Sequence, residues 1–109
     1  MASIKIAEDF SDAPGGRYIT EGPYSGELFR NEILLPKYLE AINNNEILSI
    51  DFDGSFGYST SFLEESFGGL TRELKRIGIL KNISIVSNDD ATIQGLINQY
   101  VEKEEKKLR

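Results

Sequence analysis

Three consecutive hydroxyl side chains, Ser59, Thr60 and Ser61, are the residues of this sequence best suited to regulatory chemistry. They lie between an apolar run at residues 47–52 and a segment with helical periodicity. Ser61 and Glu64 fit a capping box, in which the serine accepts a hydrogen bond from a backbone N–H and the glutamate bonds back to the cap. The free N–H groups and positive dipole at a helix start also favour an added phosphate. Ser61 is therefore either a cap or a phosphorylation switch, with Ser59 and Thr60 as alternative acceptors.

Carboxylates precede these hydroxyls. Asp51 and Asp53 share one face at the end of the predicted strand, and with a carboxylate from the next helix they would suit Mg²⁺. A third ligand at an informative spacing is missing, so we predict no metal and no cofactor. Together with Gly54 and Gly57, the two aspartates form a candidate site for a nucleotide or another small ligand, since α/β sheets bind ligands at the carboxyl ends of their strands.

Composition excludes several classes of function. Twelve basic and eighteen acidic residues give a formal charge of −6, which disfavours nucleic-acid binding. The sequence has no cysteine and no histidine, which argues against thiol catalysis, zinc sites and His-based triads, so we predict that the protein is not an enzyme. No apolar run approaches the roughly 20 residues of a membrane span, and we expect a cytoplasmic protein of bacterial type.

Periodicity predicts one α/β domain over residues 1–109. Strands are expected at residues 3–7, 17–20, 47–52 and 83–86, and the two opening strands are free to pair differently from the rest, which predicts a small mixed sheet. About three helices are expected. The first follows Ser25 and is interrupted at Pro36, and the last is capped within residues 88–90. Residues 102–109 form a charged helix end or tail.

The clearest helix is predicted by Leu63, Phe67, Leu70, Leu74 and Ile77, which step by 4, 3, 4 and 3 residues and so share one face. Gly68 and Gly69 lower helix propensity inside this segment, which suggests that another backbone approaches closely. Arg17 and Arg30 either bind an anion or, more commonly for such residues, pair with carboxylates at the surface.

Two segments carry a family resemblance: "GPYSGELFR" at residues 22–30 and "LSIDFDGSFGYSTSFLEESFGGLTREL" at residues 48–74. In these segments and in its order of elements, the chain resembles the bacterial STAS-like family of unknown function, which is related to the STAS domains of anti-sigma-factor antagonists. The resemblance implies a STAS-like α/β sandwich. It also implies a regulatory, non-enzymatic role in a two-part system with a GHKL-type ATP-binding partner.

In the antagonists, a serine at this helix start is phosphorylated by the partner kinase, and matching the segments puts Ser61 at the acceptor position. Ser59 stands where the antagonists have Asp, and Phe62 where they have Gly, which suggests a related but distinct partner surface. We therefore expect docking through residues 57–65, with Tyr58 and Phe62 as aromatic anchors if their rings face outward. Binding of a nucleotide or small ligand is the alternative, and the oligomeric state stays open.

Overall fold

A three-stranded sheet forms one layer of the protein. The computed structural model describes residues 2–109, and in this range β1 (Ser3–Lys5), β2 (Leu48–Asp51) and β3 (Ile83–Val86) pair in the order β1-β2-β3. Both pairs are parallel, and their register aligns Ile4, Ile50 and Ile85 across the sheet. The strands predicted within residues 47–52 and at residues 83–86 are therefore confirmed.

The two sides of the sheet differ because side chains alternate along each strand. Ile4, Leu48 and Ile50 are buried in the hydrophobic core together with apolar side chains of the helices. The opposite side carries Ser3, Ser49 and Ser84 in register. The protein is thus an α/β fold whose helices pack on the apolar side of a parallel sheet.

Within residues 2–109, four helices complete the fold. α1 is the single turn Ile6–Asp9, and α4 is Ile93–Lys107. α2 is a continuous helix in three segments, α-helical at Gly26–Phe29, π-helical at Arg30–Leu34 and α-helical at Leu35–Asn43. α3 repeats this arrangement with Thr60–Leu63, a π-helical turn at Glu64–Gly68, and Gly69–Leu74.

Pro36 neither ends nor restarts α2. It lies in the first turn of the Leu35–Asn43 segment, directly after the π-helical turn. The interruption predicted at this residue is therefore a change of helical pitch within one helix.

The strand predicted at residues 17–20 is wrong. This segment leads into a 3₁₀ turn at Ile19–Glu21, because nearby carboxylates satisfy its backbone. Arg17 N–H donates to Glu21 at 2.7 Å, and Ile19 N–H donates to Glu27 at 2.9 Å. The α/β class is confirmed, but without this strand the sheet of residues 2–109 is parallel rather than mixed.

The inner faces of the last two long helices agree with their periodicity. Leu63, Phe67 and Leu70 are buried, as are Ile93, Ile97 and Val101 of α4. α3 ends at Leu74, earlier than predicted, where Lys75 adopts a left-handed conformation with φ 49°, and this leaves Ile77 half exposed. α4 runs to Lys107, so most of the charged C-terminal segment is a helix end.

Candidate functional site

The hydroxyl cluster lies at the start of α3, after the loop that leaves the carboxyl end of β2. Ser59 is the N-cap of this helix, with extended backbone at φ −73° and ψ 153°, and its Oγ accepts a hydrogen bond from Phe62 N–H at 3.1 Å. The predicted capping box at Ser61 is therefore wrong. Ser61 is already inside the helix, and the Glu64 carboxylate binds Arg17 and Arg72 instead of the cap.

Thr60 and Ser61 have free hydroxyl groups. Within residues 2–109 neither side chain makes a hydrogen bond, whereas the Ser59 hydroxyl caps the helix. Thr60 is exposed and Ser61 is half-buried in the first turn of α3. The Ser59 hydroxyl thus has a structural role, whereas the hydroxyls of Thr60 and Ser61 are available for contact or modification.

The burial of the aromatic residues in this region differs from the prediction. Phe62 is fully buried, with ring centroids 5.5 Å from Phe29 and 5.9 Å from Tyr58, so its predicted role as an outward anchor is wrong. Tyr58 is half-buried, and its hydroxyl donates to the Phe52 carbonyl at 2.9 Å. Burial raises the pKa of this phenol. Both rings therefore pack on the inner side of the loop and mainly stabilise it.

Phe56 is the exposed aromatic residue of the loop, with 88% of its surface accessible to solvent. It lies between Gly54 and Gly57, whose φ values of 89° and 137° favour glycine, and its N–H donates to the Asp12 carbonyl at 2.8 Å. The prediction from sequence missed this residue. Its signal was a phenylalanine inside a glycine-rich turn, where neither helical nor strand periodicity requires an apolar side chain.

Asp53 and Asp51 brace the loop. The Asp53 carboxylate accepts hydrogen bonds from both Asn88 N–H and Asp89 N–H at 2.8 Å, and from the Asn88 amide at 2.9 Å. Asp89 in turn accepts from Gly54 N–H at 3.0 Å. These bonds, led by the one from the Asp89 backbone, lower the pKa of Asp53.

Asp51 bonds Asp53 N–H at 2.8 Å and Lys5 Nζ at 3.2 Å. The hydrogen bond to Asp51 raises the pKa of Lys5. Within residues 2–109 no group of three or more acidic side chains is arranged to hold a metal ion. Asp53 therefore links the loops that follow β2 and β3, whereas Asp51 joins the first of these loops to Lys5 of β1.

A cavity of about 260 Å³ lies beside this brace. Of the residues predicted to bind a ligand, Gly57 lines it, whereas Asp51, Asp53 and Gly54 do not. Its lining is Phe52, Ser55, Phe56, Gly57, Tyr58, Ser87, Asp89 and Asp90.

A network of charged side chains begins one helical turn after the hydroxyls. Glu65 is buried and accepts from buried Arg30 at 2.5 Å, while Arg17 and Arg72 each contact both Glu64 and Glu65. The pairing of Arg17 and Arg30 with carboxylates is therefore confirmed, but the Arg30 pair is buried rather than at the surface.

The network also explains the two glycines of α3. A Cβ at Gly69 would lie 2.5 Å from Arg30 Nη1, and one at Gly68 would meet the Glu64 carboxylate. The predicted close backbone is therefore wrong at this point, because side chains occupy the space. Close backbone contact occurs at Gly26 instead, where a Cβ would lie 2.7 Å from the Phe62 carbonyl oxygen.

Charge pairing sets the protonation of the network. Burial alone would raise the pKa of Glu64, but hydrogen bonds from Arg72 and Arg17 outweigh it and lower the pKa. Burial likewise opposes ionisation of Glu104, and bonds from Lys107 and Arg72 lower its pKa. Both glutamates are thus held ionised by their basic partners.

Comparison with known proteins identifies the fold. Residues 25–92 match the model of the family described as a STAS-like domain of unknown function (DUF4325). This match covers α2, α3, β2 and β3, including the hydroxyl cluster and its loop. The chain therefore belongs to the STAS-like family, and the resemblance seen in its sequence is confirmed.

Comparisons with curated proteins and with solved structures returned no match. No helix within residues 2–109 has both the length and the apolar character needed to cross a membrane.

Proposed function

We propose that this chain is a non-enzymatic regulatory module that docks on a GHKL-type ATP-binding protein through the surface formed by Phe56, Thr60 and Ser61, here called the docking surface. The exposure of the Phe56 ring, four residues before the unbonded hydroxyl of Thr60, is the observation that carries this proposal. An aromatic ring held in solvent by a braced loop is a typical anchor for a partner's pocket. The partner class follows from the resemblance to the antagonist STAS domains.

The loop supports docking because it is held in shape before a partner arrives. Asp53 and Asp89 cross-link the loops after β2 and β3, and Tyr58 fixes the loop from below. A preorganised surface loses less conformational entropy on binding than a mobile one. Phe56 therefore presents its ring at little cost in ordering.

Phosphorylation of Ser61 would switch this surface. Ser61 precedes Glu64 and Glu65 by three and four residues, so all three share one face of α3. A phosphate would add about −1.5 to −2 charges there and compete with both carboxylates for Arg17. We expect the added charge to weaken docking by repulsion and by altering the Arg17 contacts.

The experiment is capture from a lysate of the native host, with bound proteins identified by mass spectrometry. The baits are the wild type, Phe56→Ser, Ser61→Ala and Ser61→Asp. Ile77→Ser serves as a matched control, because Ile77 is another exposed apolar residue but lies beyond the opposite end of α3. Each bait is first checked for wild-type thermal stability.

The proposal predicts that the wild type, Ser61→Ala and Ile77→Ser capture a protein with a GHKL-type ATP-binding domain. Phe56→Ser and Ser61→Asp lose it. Equal capture of that protein by all five baits would contradict the docking surface. Failure to capture any ATP-binding protein with a folded wild-type bait would contradict the partner class.

The small cavity beside the loop supports a second candidate function, the binding of a small ligand. It lies at the carboxyl ends of the strands, where α/β folds commonly bind ligands. Asp89 and Asp90 in its lining favour a cationic or neutral ligand over the phosphates of a nucleotide. A thermal-shift screen of nucleotides, with and without Mg²⁺, and of small amines tests this function, and the absence of any shift at millimolar concentration would contradict it.

A further inference from the structure

A second, larger cavity lies between α3, α4 and the segment that carries Arg17. Its volume is about 390 Å³, which is within the range of small-molecule sites. Four basic and two acidic side chains contribute to its wall, an excess of positive charge in a chain with a net charge of −6. The lining residues are Arg17, Glu64, Arg72, Gln99, Tyr100, Lys103, Glu104 and Lys107.

The two carboxylates of this wall are already neutralised. Both oxygens of Glu64 contact Arg72, and one of them also contacts Arg17. Glu104 is buried and uses one oxygen for Arg72 at 3.2 Å and the other for Lys107 at 2.8 Å. Neither carboxylate therefore needs a cation from solution.

Some of the hydrogen-bond donors that line this cavity have no side-chain partner within residues 2–109. Arg17 reaches both of its carboxylate partners through Nη1, so its Nε and Nη2 have no hydrogen bond to another side chain of residues 2–109. Lys103 makes no ion pair with any residue in the described part of the chain. Because guanidinium and ammonium groups only donate, Arg17 and Lys103 both offer unused hydrogen-bond donors to a ligand in this cavity.

We infer that this cavity binds the phosphate group of a small molecule, with Arg17 and Lys103 as its principal ligands. The two donors approach from different elements, the segment before α2 and the third turn of α4. A tetrahedral phosphate has three outer oxygens that point in different directions, so it can accept hydrogen bonds from donors on two elements better than a planar carboxylate with two oxygens. Charge-assisted bonds of this kind are about twice as strong as neutral ones.

The test is an NMR titration of the full chain with sodium pyrophosphate as the probe, at constant ionic strength set with sodium chloride. Constant ionic strength keeps the screening of surface charge the same throughout the titration. Saturable binding, with the largest amide shifts at Gln99, Tyr100 and Lys103, is the expected result. Citrate, a carboxylate whose charge at neutral pH is close to that of pyrophosphate, is expected to bind several-fold more weakly.

Lys103→Gln and Lys106→Gln form a matched pair of variants. Both lysines are exposed on α4, but Lys106 pairs with Glu102 and does not line the cavity. Losing one charge-assisted contact should weaken pyrophosphate binding about tenfold in Lys103→Gln and leave Lys106→Gln unchanged.

Either of two results would overturn the inference. The first is no saturation at about 10 mM pyrophosphate. The second is an equal loss of affinity in the two variants, which would mean that only the overall charge attracts the anion.

Discussion

Gly26 is a residue at which α2 approaches α3 closely, and replacing it with alanine tests this packing. The added Cβ would lie 2.7 Å from the Phe62 carbonyl oxygen and 3.0 Å from Glu65 Cβ. These atoms belong to the backbone and stem of a buried helix, so the two helices must separate. Overpacking of this kind costs about 1–3 kcal/mol. We therefore expect the free energy of unfolding to fall by that amount.

Gly95→Ala is the matched control for this substitution. Gly95 lies in α4, is exposed and has no atom within 4 Å of the added Cβ. Alanine has a higher helix propensity than glycine by about 1 kcal/mol, so this variant should be more stable than the wild type.

Urea denaturation followed by circular dichroism measures both changes. The expected shift in midpoint is about 1 M downward for Gly26→Ala and a smaller shift upward for Gly95→Ala. The melting temperature should fall by about 4 °C for each kcal/mol lost. A Gly26→Ala variant as stable as the wild type would refute the close approach of the two helices.

Two further predictions concern the helix start and its charges. Ser59→Ala should lower the free energy of unfolding by about 1 kcal/mol, whereas Ser61→Ala should change it by less than about 0.5 kcal/mol, and equal losses in urea denaturation would contradict the assignment of the cap. Glu64 and Glu104 have lowered pKa values in the folded state. They therefore stabilise the folded state fully above pH 4.5, the ordinary glutamate pKa. This stabilisation is lost as the pH falls through their folded pKa values. Glu64→Gln should flatten that acid-side decline in a pH series of melting temperatures, and an unchanged slope would contradict the ion pairing of Glu64.

The strands β2 and β3 could be predicted from sequence because short apolar runs bounded by turn formers are typical of buried strands. The segment at residues 17–20 has similar composition but forms no strand. Its N–H groups bond to Glu21 and Glu27, and side-chain partners of this kind leave no periodic signal. The sheet is parallel rather than mixed for the same reason.

The hydroxyl cluster was predicted at a helix start, where the structure places it, but the residue that caps this helix was not predicted correctly. Which hydroxyl caps α3 depends on the residue at which helical backbone begins, and sequence patterns place that point only to within about two residues. For this reason Ser59 caps α3 in place of the predicted Ser61. Burial of a ring depends on the packing of α2 against α3, so Phe62 entered the core while Phe56 stayed outside.

The charged network was the least accessible to sequence reasoning. Arg17, Glu64 and Glu104 are far apart in the chain and meet only because α3 and α4 pack together beside the segment that precedes α2. The arginines suggested pairs with carboxylates, but their partners and their burial follow from the tertiary fold. The glycines of α3 gave a signal of close approach without identifying what approaches.

The docking surface is tested most directly by the dissociation constant of the purified chain with the ATP-binding partner identified by capture. The measurement is isothermal titration calorimetry in the presence of ATP, with the wild type, Phe56→Ser and Ile77→Ser. Burying a phenylalanine side chain at an interface contributes about 1.5–3 kcal/mol, so Phe56→Ser should raise the dissociation constant by about tenfold or more while Ile77→Ser leaves it unchanged. Equal dissociation constants for the wild type and Phe56→Ser would contradict docking through this surface.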